Sequence, residues 1–525
     1  MGIQVRSHGI RPVLSIALAL IASLVLVAPA AAAPPRPGDP GIGDRLFPTL
    51  GNGGYDAGHY DLDMTYPTAE PEQTVDGEVT MIARATQSLS SFNLDFAGDS
   101  VESVRVDGRS ADWERSGNEL VITPRRAIKD HHRFVARIDF TAGPYVPPGP
   151  DIDPFPFGWF TTVDGSVTAG QPDQSQTIYP VNDHPADKAS YSFRLDVPEG
   201  VTAVANGVQL WSRTRNGRTV SYHVMREPMA SELIQLAVGD LTVVERGRAR
   251  GVRVRDVAPS SLAATFDPQL ASTPNHIGWM VDRVGRYPFD TYGVLAADQE
   301  FFYALETQTL SLHPGFVFQP DYPDWARQPL MVHELAHQWF GDSVAPREWS
   351  DLWLNEGHAT WYEWLYGDEF FRAEIAENLE VADFTDRIRQ AYAQGDIWRD
   401  QYGPVAQPAS NELFELFSPN VYDGGAVVLY ALRQKIGERA FAELERRWAQ
   451  SNAGDSVGTS DFIALASRVA GRNLRPFLTD WLFGAETPPM PGHPDWEVLP
   501  VEAGAPAASV AKSQALAIER SLRKR

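Results

Sequence analysis

Cysteine is missing from this sequence: none of its 525 residues is one. Disulfide bonds are therefore excluded, and so is a lipid anchor attached through a cysteine near the N-terminus. A chain without disulfides has to rely on its hydrophobic cores for stability. The length is sufficient for this, because 525 residues allow two or three domains with sizeable cores.

Positive charge is scarce. Lysine and arginine together number 45, against 68 aspartates and glutamates, which gives a formal net charge of -23. A general nucleic-acid-binding protein needs a basic surface to displace the counterions of the phosphates. We therefore expect no nucleic-acid partner for this chain. The acidic balance favours solubility and does not identify a substrate.

Long apolar runs are also missing, apart from one near the N-terminus at residues 13–28. Arg6 and Arg11 precede this run, small residues follow it, and it is shorter than the roughly 20 residues that span a bilayer. The pattern is typical of a secretory signal peptide. We expect residues 1–33 to be such a signal, cleaved near residues 30–33, which leaves a secreted protein without a stable membrane span. An uncleaved membrane anchor is the alternative.

The rest of the sequence changes its hydrophobic period about half-way. Residues 34–44 are rich in proline and glycine and are typical of a linker. Residues 45–250 alternate apolar and polar side chains, which predicts an antiparallel, β-sandwich-like domain. Residues 251–495 repeat apolar side chains at three and four, which predicts a mainly helical domain, and 496–525 are expected to be a flexible tail. The predicted fold class is α+β multidomain.

The stretch HELAHQWFGD, at residues 333–342, contains two histidines four residues apart. On a helix, His333 and His337 lie one turn apart, so that their rings converge on one point. Glu334 lies about 100° round the helix, where it reaches a ligand of a bound metal without binding the metal itself. This HExxH pattern is typical of zinc hydrolases, and the alternative is a chance match on a buried helix. Two histidines are also insufficient, because a catalytic zinc needs a third protein ligand and an open position.

The limits of this first helix follow from Pro329 and Gly341. Proline suits the first turn of a helix, and glycine suits the position just past its end. An apolar stripe at helical spacing runs between them, formed by Val332, Leu335, Ala336 and Trp339. We therefore predict a helix that begins near Pro329 and packs this stripe into the core.

Glu356, in the stretch WLNEGHATWYEW, is the candidate third ligand. Eighteen residues separate it from His337, enough for a turn and a second helix that returns antiparallel to the first. Two imidazoles and one carboxylate are a suitable donor set for one Zn²⁺ per chain. His358 stands two residues further on and should point elsewhere, so we expect it to be structural.

These residues together resemble the gluzincin aminopeptidases, the family of aminopeptidase N and leukotriene-A(4) hydrolase. That family's pattern is HExxH, eighteen residues, and then a glutamate inside WLNEG. The resemblance implies a zinc peptidase with an N-terminal β domain followed by a thermolysin-like catalytic domain at residues 251–495. It covers roughly residues 45 to 490 and leaves no room for the long helical C-terminal domain of larger relatives.

Three further residues acquire roles only through this resemblance. Tyr422, in VYDGGAVVLYALR, resembles the family's catalytic tyrosine, which stabilises the oxyanion. Glu306, in ALETQ, resembles the amine-binding glutamate of the family's G-x-M-E-N motif, and Gln171 resembles the second amine contact. These matches imply an aminopeptidase acting on peptides with a free N-terminus. The motif is altered here, and Tyr303 in the place of its glycine predicts a reshaped first substrate pocket.

The resemblance implies a hydrolytic mechanism that these residues support. Bound zinc would lower the pKa of a water toward ~7. Glu334 would take the proton of that water and pass it to the leaving amine, and Tyr422 would stabilise the oxyanion together with the metal. The leading hypothesis is therefore a secreted zinc aminopeptidase. The alternatives are an epoxide hydrolase with peptidase side activity, and a zinc-bearing peptide-binding protein without turnover.

Overall fold

The computed structural model of the chain describes residues 1, 2, 4, 34–145, 155–299 and 301–501. The chain divides into two units, Met1–Pro34 and Pro35–Arg525. The predicted signal peptide lies outside the described residues except for positions 1, 2 and 4, and so does the predicted tail beyond residue 501. Within the described part of the chain, no helix has an apolar stretch long enough to cross a membrane.

The first part of the second unit consists of strands with alternating burial. In chain order they are β1 Arg36–Pro37, β2 Tyr55–Thr65, β3 Val75–Ala85, β4 Leu89–Asp95, β5 Ser100–Val106, β6 Arg109–Ser110, β7 Asp112–Ser116, β8 Glu119–Thr123, β9 Arg133–Ala142, β10 Gly158–Thr162, β11 Gly165–Ala169, β12 Ala189–Pro198, β13 Thr202–Ala205, β14 Val208–Arg215, β15 Arg218–Met229, β16 Leu236–Gly239, β17 Leu241–Ala249 and β18 Val252–Pro259. In β3, Val75, Val79 and Met81 are buried, whereas Asp76 and Arg84 face solvent. This alternation is what a half-buried sheet requires.

Two of the sheets pack face to face. Among the described residues, one has eight strands in the order β14-β15-β12-β2-β3-β9-β5-β6, and another has four in the order β1-β4-β8-β7. The pairing is mainly antiparallel, although β2 and β12 run parallel. Phe92 of β4 and Phe134 of β9 pack with ring centroids 5.0 Å apart, inside one hydrophobic cluster. Two sheets with a common core form a sandwich-like domain.

The later part of the chain is mainly helical. Its elements are α1 Ala263–Leu270, α2 Thr273–Val284, β19 Thr291–Tyr292, β20 Val294–Ala297, β21 Ser311–Pro314, α3 Asp324–His337, β22 Ala345–Pro346, α4 Trp353–Leu379, α5 Phe384–Ala393, α6 Gly395–Tyr402, α7 Leu413–Leu416, α8 Pro419–Ile436, α9 Glu438–Ser451, β23 Ser456–Val457, α10 Thr459–Ala470 and α11 Arg475–Phe483. A β-rich domain followed by a helical one confirms the predicted fold class. The division at residues 250 and 251 falls in the turn between β17 and β18, and the domain limits stay a prediction.

Residues 35–44 of the segment 34–44, which was predicted as a linker, are part of the second, folded unit. Arg36–Pro37 pairs with β4, and the Asp44 side chain is fully buried. Asp44 Oδ1 accepts the backbone N–H of Leu46 at 2.7 Å, and Oδ2 accepts that of Trp349 at 2.7 Å. The prediction failed because prolines and glycines mark backbone turns, whether or not a turn is packed against the protein.

The start of α3 also differs from the prediction. The helix begins at Asp324, directly after Pro323, and Pro329 lies inside it. Asp324 places a carboxylate at the positive end of the helix and forms an ion pair with Arg327. The apolar stripe from Val332 to Trp339 is buried, as predicted.

Candidate active site

Helices α3 and α4 pack against each other and bring three candidate ligands together. His333 and His337 project from α3, and Glu356 projects from the first turn of α4. Glu356 Oε2 lies 3.3 Å from His333 Nε2 and 3.2 Å from His337 Nε2. Ligands bound 2.0–2.2 Å from a tetrahedral zinc lie about 3.3–3.6 Å from one another. The donor set and its spacing therefore fit a zinc ion.

The second nitrogen of each histidine is held by a partner. His337 Nδ1 donates to the carbonyl of Phe340 at 3.1 Å, and His333 Nδ1 lies 3.0 Å from Glu363 Oε2. Such contacts fix the ring and leave Nε2 available to a metal. Glu363 was not assigned from the sequence, although a signal exists: it follows Glu356 by seven residues, or two helical turns, on the same face of α4.

Glu363 is itself held from the other side. Arg387 of α5 forms an ion pair with Glu363 Oε1 at 3.8 Å, and its guanidinium lies 4.5 Å from the ring of Trp364. The Arg387 side chain is 9% exposed, so solvent screens this pair little. The carboxylate that orients His333 is thus fixed by a buried cation.

The electrostatics of this centre favour a cation. Burial lowers the pKa of His337, but the carboxylates of Glu306 and Glu356 outweigh it and raise the pKa to about 9. Burial raises the pKa of Glu356, and the two histidines outweigh it and lower the pKa to about 2. A place that stabilises protonated imidazoles so strongly also stabilises a divalent metal ion.

Glu334 lies beside the ligands and is almost completely buried. One carboxylate oxygen of Glu334, one of Glu306 and one ring nitrogen of His337 lie within 4.8 Å of one another. Burial is the main reason that the pKa of Glu334 rises to about 8, with the two histidines acting in the opposite direction. This carboxyl group can therefore accept and release a proton near neutral pH.

Tyr422 reaches the centre from α8. Its ring lies nearly parallel to that of His333, with centroids 5.9 Å apart, and its hydroxyl is hydrogen-bonded to Glu356. Burial and the nearby carboxylates raise the pKa of Tyr422 well above its ordinary value, which keeps the hydroxyl protonated and able to donate. The position of Tyr422 depends on a close crossing of α4 and α8. The two helices are so close there that a Cβ on Gly357 would lie 2.9 Å from the backbone of Gly425.

Glu306 and Gln171, predicted to bind the substrate amine, are brought together although they lie 135 residues apart. Gln171 Nε2 donates to Glu306 Oε1 at 2.8 Å, and both side chains are buried. Since Glu306 also lies beside Glu334 and His337, the hydrogen-bonded pair adjoins the candidate metal site. The arrangement offers oxygen acceptors to an ammonium group.

The ring of Tyr303 stacks on Phe157 at 4.9 Å, and its hydroxyl donates to the carbonyl of Pro156. Its effect on the first substrate pocket stays a prediction. His358 points away from the ligands: its Nδ1 donates to the carbonyl of Leu354 at 2.7 Å, and Nε2 lies 3.4 Å from Glu445.

The sequence is similar to known aminopeptidases. The model of the peptidase family M1 domain matches residues 280–481. Aminopeptidase M1-C of Oryza sativa subsp. japonica is 26% identical over 324 residues, and Aminopeptidase M1 of Arabidopsis thaliana is 25% identical over 329. Each alignment covers 60% of this chain and 36% of the relative, so the chain spans little more than a third of the length of these curated relatives.

The fold is similar to solved structures over more of its length. An M1 zinc metallopeptidase from Deinococcus radiodurans superposes with a TM-score of 0.72 at 28% identity, over 86% of this chain and 99% of that one. A variant of that enzyme with a bound Tyr-Ser-Ala substrate gives a TM-score of 0.73 at 29% identity, over 86% and 100%. A two-domain M1 zinc metallopeptidase variant bound to L-arginine gives 0.71 at 28% identity, over 86% and 99%.

Proposed function

Because this chain belongs to the gluzincin aminopeptidases of peptidase family M1, we propose that it is a zinc aminopeptidase that removes the N-terminal residue from peptides. One observation carries the proposal. The three candidate zinc ligands adjoin a buried carboxylate, Glu306, whose partner Gln171 comes from the β-rich part of the chain. The candidate metal ligands, Glu334 and the candidate amine-binding pair thus adjoin one another.

One zinc ion would be held by His333, His337 and Glu356. When bound, it supplies Lewis acidity, which acidifies a water molecule and polarises the scissile carbonyl. Glu363 and the Phe340 carbonyl hold the two rings in the orientation that this binding requires.

Proton transfer is assigned to Glu334. Its carboxylate removes the proton of the attacking water and then delivers it to the nitrogen of the leaving amine. Burial raises the pKa of Glu334, which makes its carboxylate a stronger base toward the proton of the water. Tyr422 donates its hydroxyl hydrogen to the oxygen that becomes negative in the tetrahedral intermediate.

Substrate register is assigned to Glu306 and Gln171. An α-ammonium group placed against these acceptors positions the first peptide bond next to Glu334. The Deinococcus radiodurans variant binds the peptide Tyr-Ser-Ala, and the two-domain variant binds the amino acid L-arginine. Both ligands fit a site that accepts an α-amine, which supports this assignment. The epoxide hydrolase and the non-catalytic binding protein are not favoured by the relatives.

The test compares free with N-acetylated amino-acid amides and p-nitroanilides, with and without a chelator. We expect hydrolysis of the free compounds, loss of activity with the chelator and recovery on adding Zn²⁺. Equal cleavage of the acetylated compounds would remove the roles of Glu306 and Gln171. Turnover of an epoxide in preference to the amides would favour the hydrolase alternative.

Secretion is proposed separately, from the composition of residues 1–33 alone. Expression of the full chain with its N-terminus intact should release a shorter protein into the medium. N-terminal sequencing of that protein should begin close to residue 34. A full-length chain retained in the membrane fraction would support the uncleaved anchor instead.

A further inference from the structure

Gln338 directly follows the second candidate ligand, His337, and connects the end of α3 to the turn that begins at Glu306. Its side chain is fully buried and makes three hydrogen bonds. Nε2 donates to the backbone carbonyl of Glu306 at 3.0 Å. Oε1 accepts the backbone N–H of Thr309 at 2.9 Å and the hydroxyl of Tyr287 at 3.1 Å. One amide thus holds both sides of the turn that follows Glu306.

This turn, residues 306–310, is strained. Thr309 has a φ of +68°, a conformation that β-branched residues rarely adopt. Such a backbone persists only where its surroundings hold it in place. Besides those of Gln338, the contacts that hold this turn include two from residues 206 and 207. Gly207 N–H donates to Thr309 Oγ1 at 2.8 Å, and Asn206 Nδ2 donates to the Gln308 carbonyl at 2.6 Å.

The contacts of Gln338 differ from the other two in the part of the chain that supplies them. Gly207 and Asn206 belong to the β-rich part of the chain, whereas Gln338 is the C-cap of α3, the helix that carries His333 and His337. It is therefore the contact of this set that relates the turn to the zinc helix directly. Its hydrogen bonds thus link the backbone of Glu306 and of Thr309 to the residue that follows His337.

We propose that Gln338 is a positioning residue that fixes Glu306 relative to the zinc ligands and thereby sets the preference for a free N-terminus. This role of Gln338 rests on the proposed function. It is indirect, because Gln338 acts through the backbone of Glu306 and Thr309. A misplacement of about 1 Å in a catalytic site costs up to about 100-fold in rate. Loss of the amide also leaves a buried carbonyl and a buried N–H unpaired, which favours a shift of the turn.

The variants are Gln338→Met, which keeps the length but makes none of the three hydrogen bonds, and Gln338→Asn, which keeps the amide but is one methylene shorter. Gln308→Met is the matched control. Gln308 lies in the same turn and is fully buried, but its side-chain amide has no hydrogen-bond partner among the described residues. Thermal melting of each variant checks that it is folded.

Three quantities are compared with wild type: kcat/KM for free amino-acid p-nitroanilides, the dissociation constant of L-arginine against N-acetyl-L-arginine, and the dissociation constant of Zn²⁺ by chelator competition. For Gln338→Met we expect kcat/KM for the free p-nitroanilides to fall roughly 10- to 100-fold. The binding preference for L-arginine over N-acetyl-L-arginine should fall by a similar factor of roughly 10 to 100. Gln338→Asn should lie between Gln338→Met and wild type. The Zn²⁺ affinity should stay within about threefold, and Gln308→Met should match wild type.

Two results would overturn the proposal: unchanged preference for L-arginine in Gln338→Met, or losses of the same size for free and acetylated ligands together with weaker Zn²⁺ binding. The second would mean a general structural role. A wild-type protein that binds both ligands equally would instead overturn the proposed function, and this inference with it.

Discussion

At the scale of single residues, the chemistry depends on where each carboxylate lies. Glu334, Glu356 and Glu363 lie on neighbouring helices, yet their surroundings differ. Burial is the main reason that the pKa of Glu334 rises to about 8, whereas the two histidines lower the pKa of Glu356 to about 2. Carboxyl groups whose pKa values are pushed apart in this way can serve as a proton acceptor and as a permanently charged ligand.

Glu334→Gln should abolish most of the turnover while leaving zinc binding intact. The amide cannot accept the proton of the attacking water, and a general base contributes about 10²- to 10⁴-fold to the rate. The measurements are kcat on a free amino-acid p-nitroanilide and the zinc content after dialysis. Retention of full activity would exclude the proposed role of Glu334, and loss of zinc would indicate that the substitution disturbs the ligands.

Glu363→Gln should weaken zinc binding by about 10- to 100-fold, because the carboxylate that orients His333 loses its charge. Competition with a chromogenic chelator measures the dissociation constant directly. Glu377→Gln is the matched control, since Glu377 lies on the same helix but faces solvent. An unchanged constant for Glu363→Gln would show that His333 holds its orientation without this partner.

At the scale of elements, the sequence predicted the pair of antiparallel helices but not how they are held. The spacing of His333, His337 and Glu356 follows from helical geometry and was predictable. The beginning of α3 was not, since two prolines compete for that position. The contacts of Gln338 were not predictable either, because they depend on a turn whose position in space is set by tertiary packing.

The crossing of α4 and α8 predicts the effect of a single methyl group. Gly357→Ala would place a Cβ 2.9 Å from the backbone of Gly425, so that the helices must move apart. Overpacking of this kind costs about 1–3 kcal/mol. Because Tyr422 is carried by α8, we also expect a lower kcat. Denaturant unfolding and steady-state kinetics measure the two effects.

A matched control exists for this change in α2. Gly278 also lies inside a helix, but a Cβ there would meet only the Arg250 side chain, at 3.8 Å. Gly278→Ala should leave kcat unchanged and stabilise the protein by about 0.5–1 kcal/mol, since alanine is the better helix former. Equal destabilisation by both substitutions would show that the helix crossing is not as tight as the distances indicate.

At the scale of the whole molecule, burial of polar groups is extensive and reaches beyond the site. The segment 36–44 is one example, in which the buried carboxylate of Asp44 connects the start of the second unit to Trp349, just before α4. The proline and glycine content of this segment predicted a linker. Composition alone does not show that one of its polar residues, Asp44, is buried. The same holds for the histidines, several of which lie in the interior far from any metal ligand.

These buried histidines predict how stability changes with pH. Burial, assisted by the Arg255 guanidinium, lowers the pKa of His223 to about 3, and burial lowers that of His276 to about 4. In the unfolded chain a histidine has a pKa of about 6.5. As the pH falls below about 6.5, the unfolded state therefore takes up protons that the native state does not bind. The free energy of unfolding should decrease, by up to about 1.4 kcal/mol per pH unit for each such histidine.

His223→Leu isolates one contribution, because it replaces a fully buried imidazole with an apolar side chain that does not titrate. Denaturant unfolding at pH 7 and pH 4.5 should show a smaller loss of stability for this variant than for wild type. His131→Ala, at a side chain that is 72% exposed, should lose as much as wild type. Comparing variants at matched pH is essential, because buried acids such as Asp183, whose pKa burial raises to about 7, act in the opposite direction. If His223→Leu and wild type lost stability in parallel, the buried imidazole would already be charged in the native state.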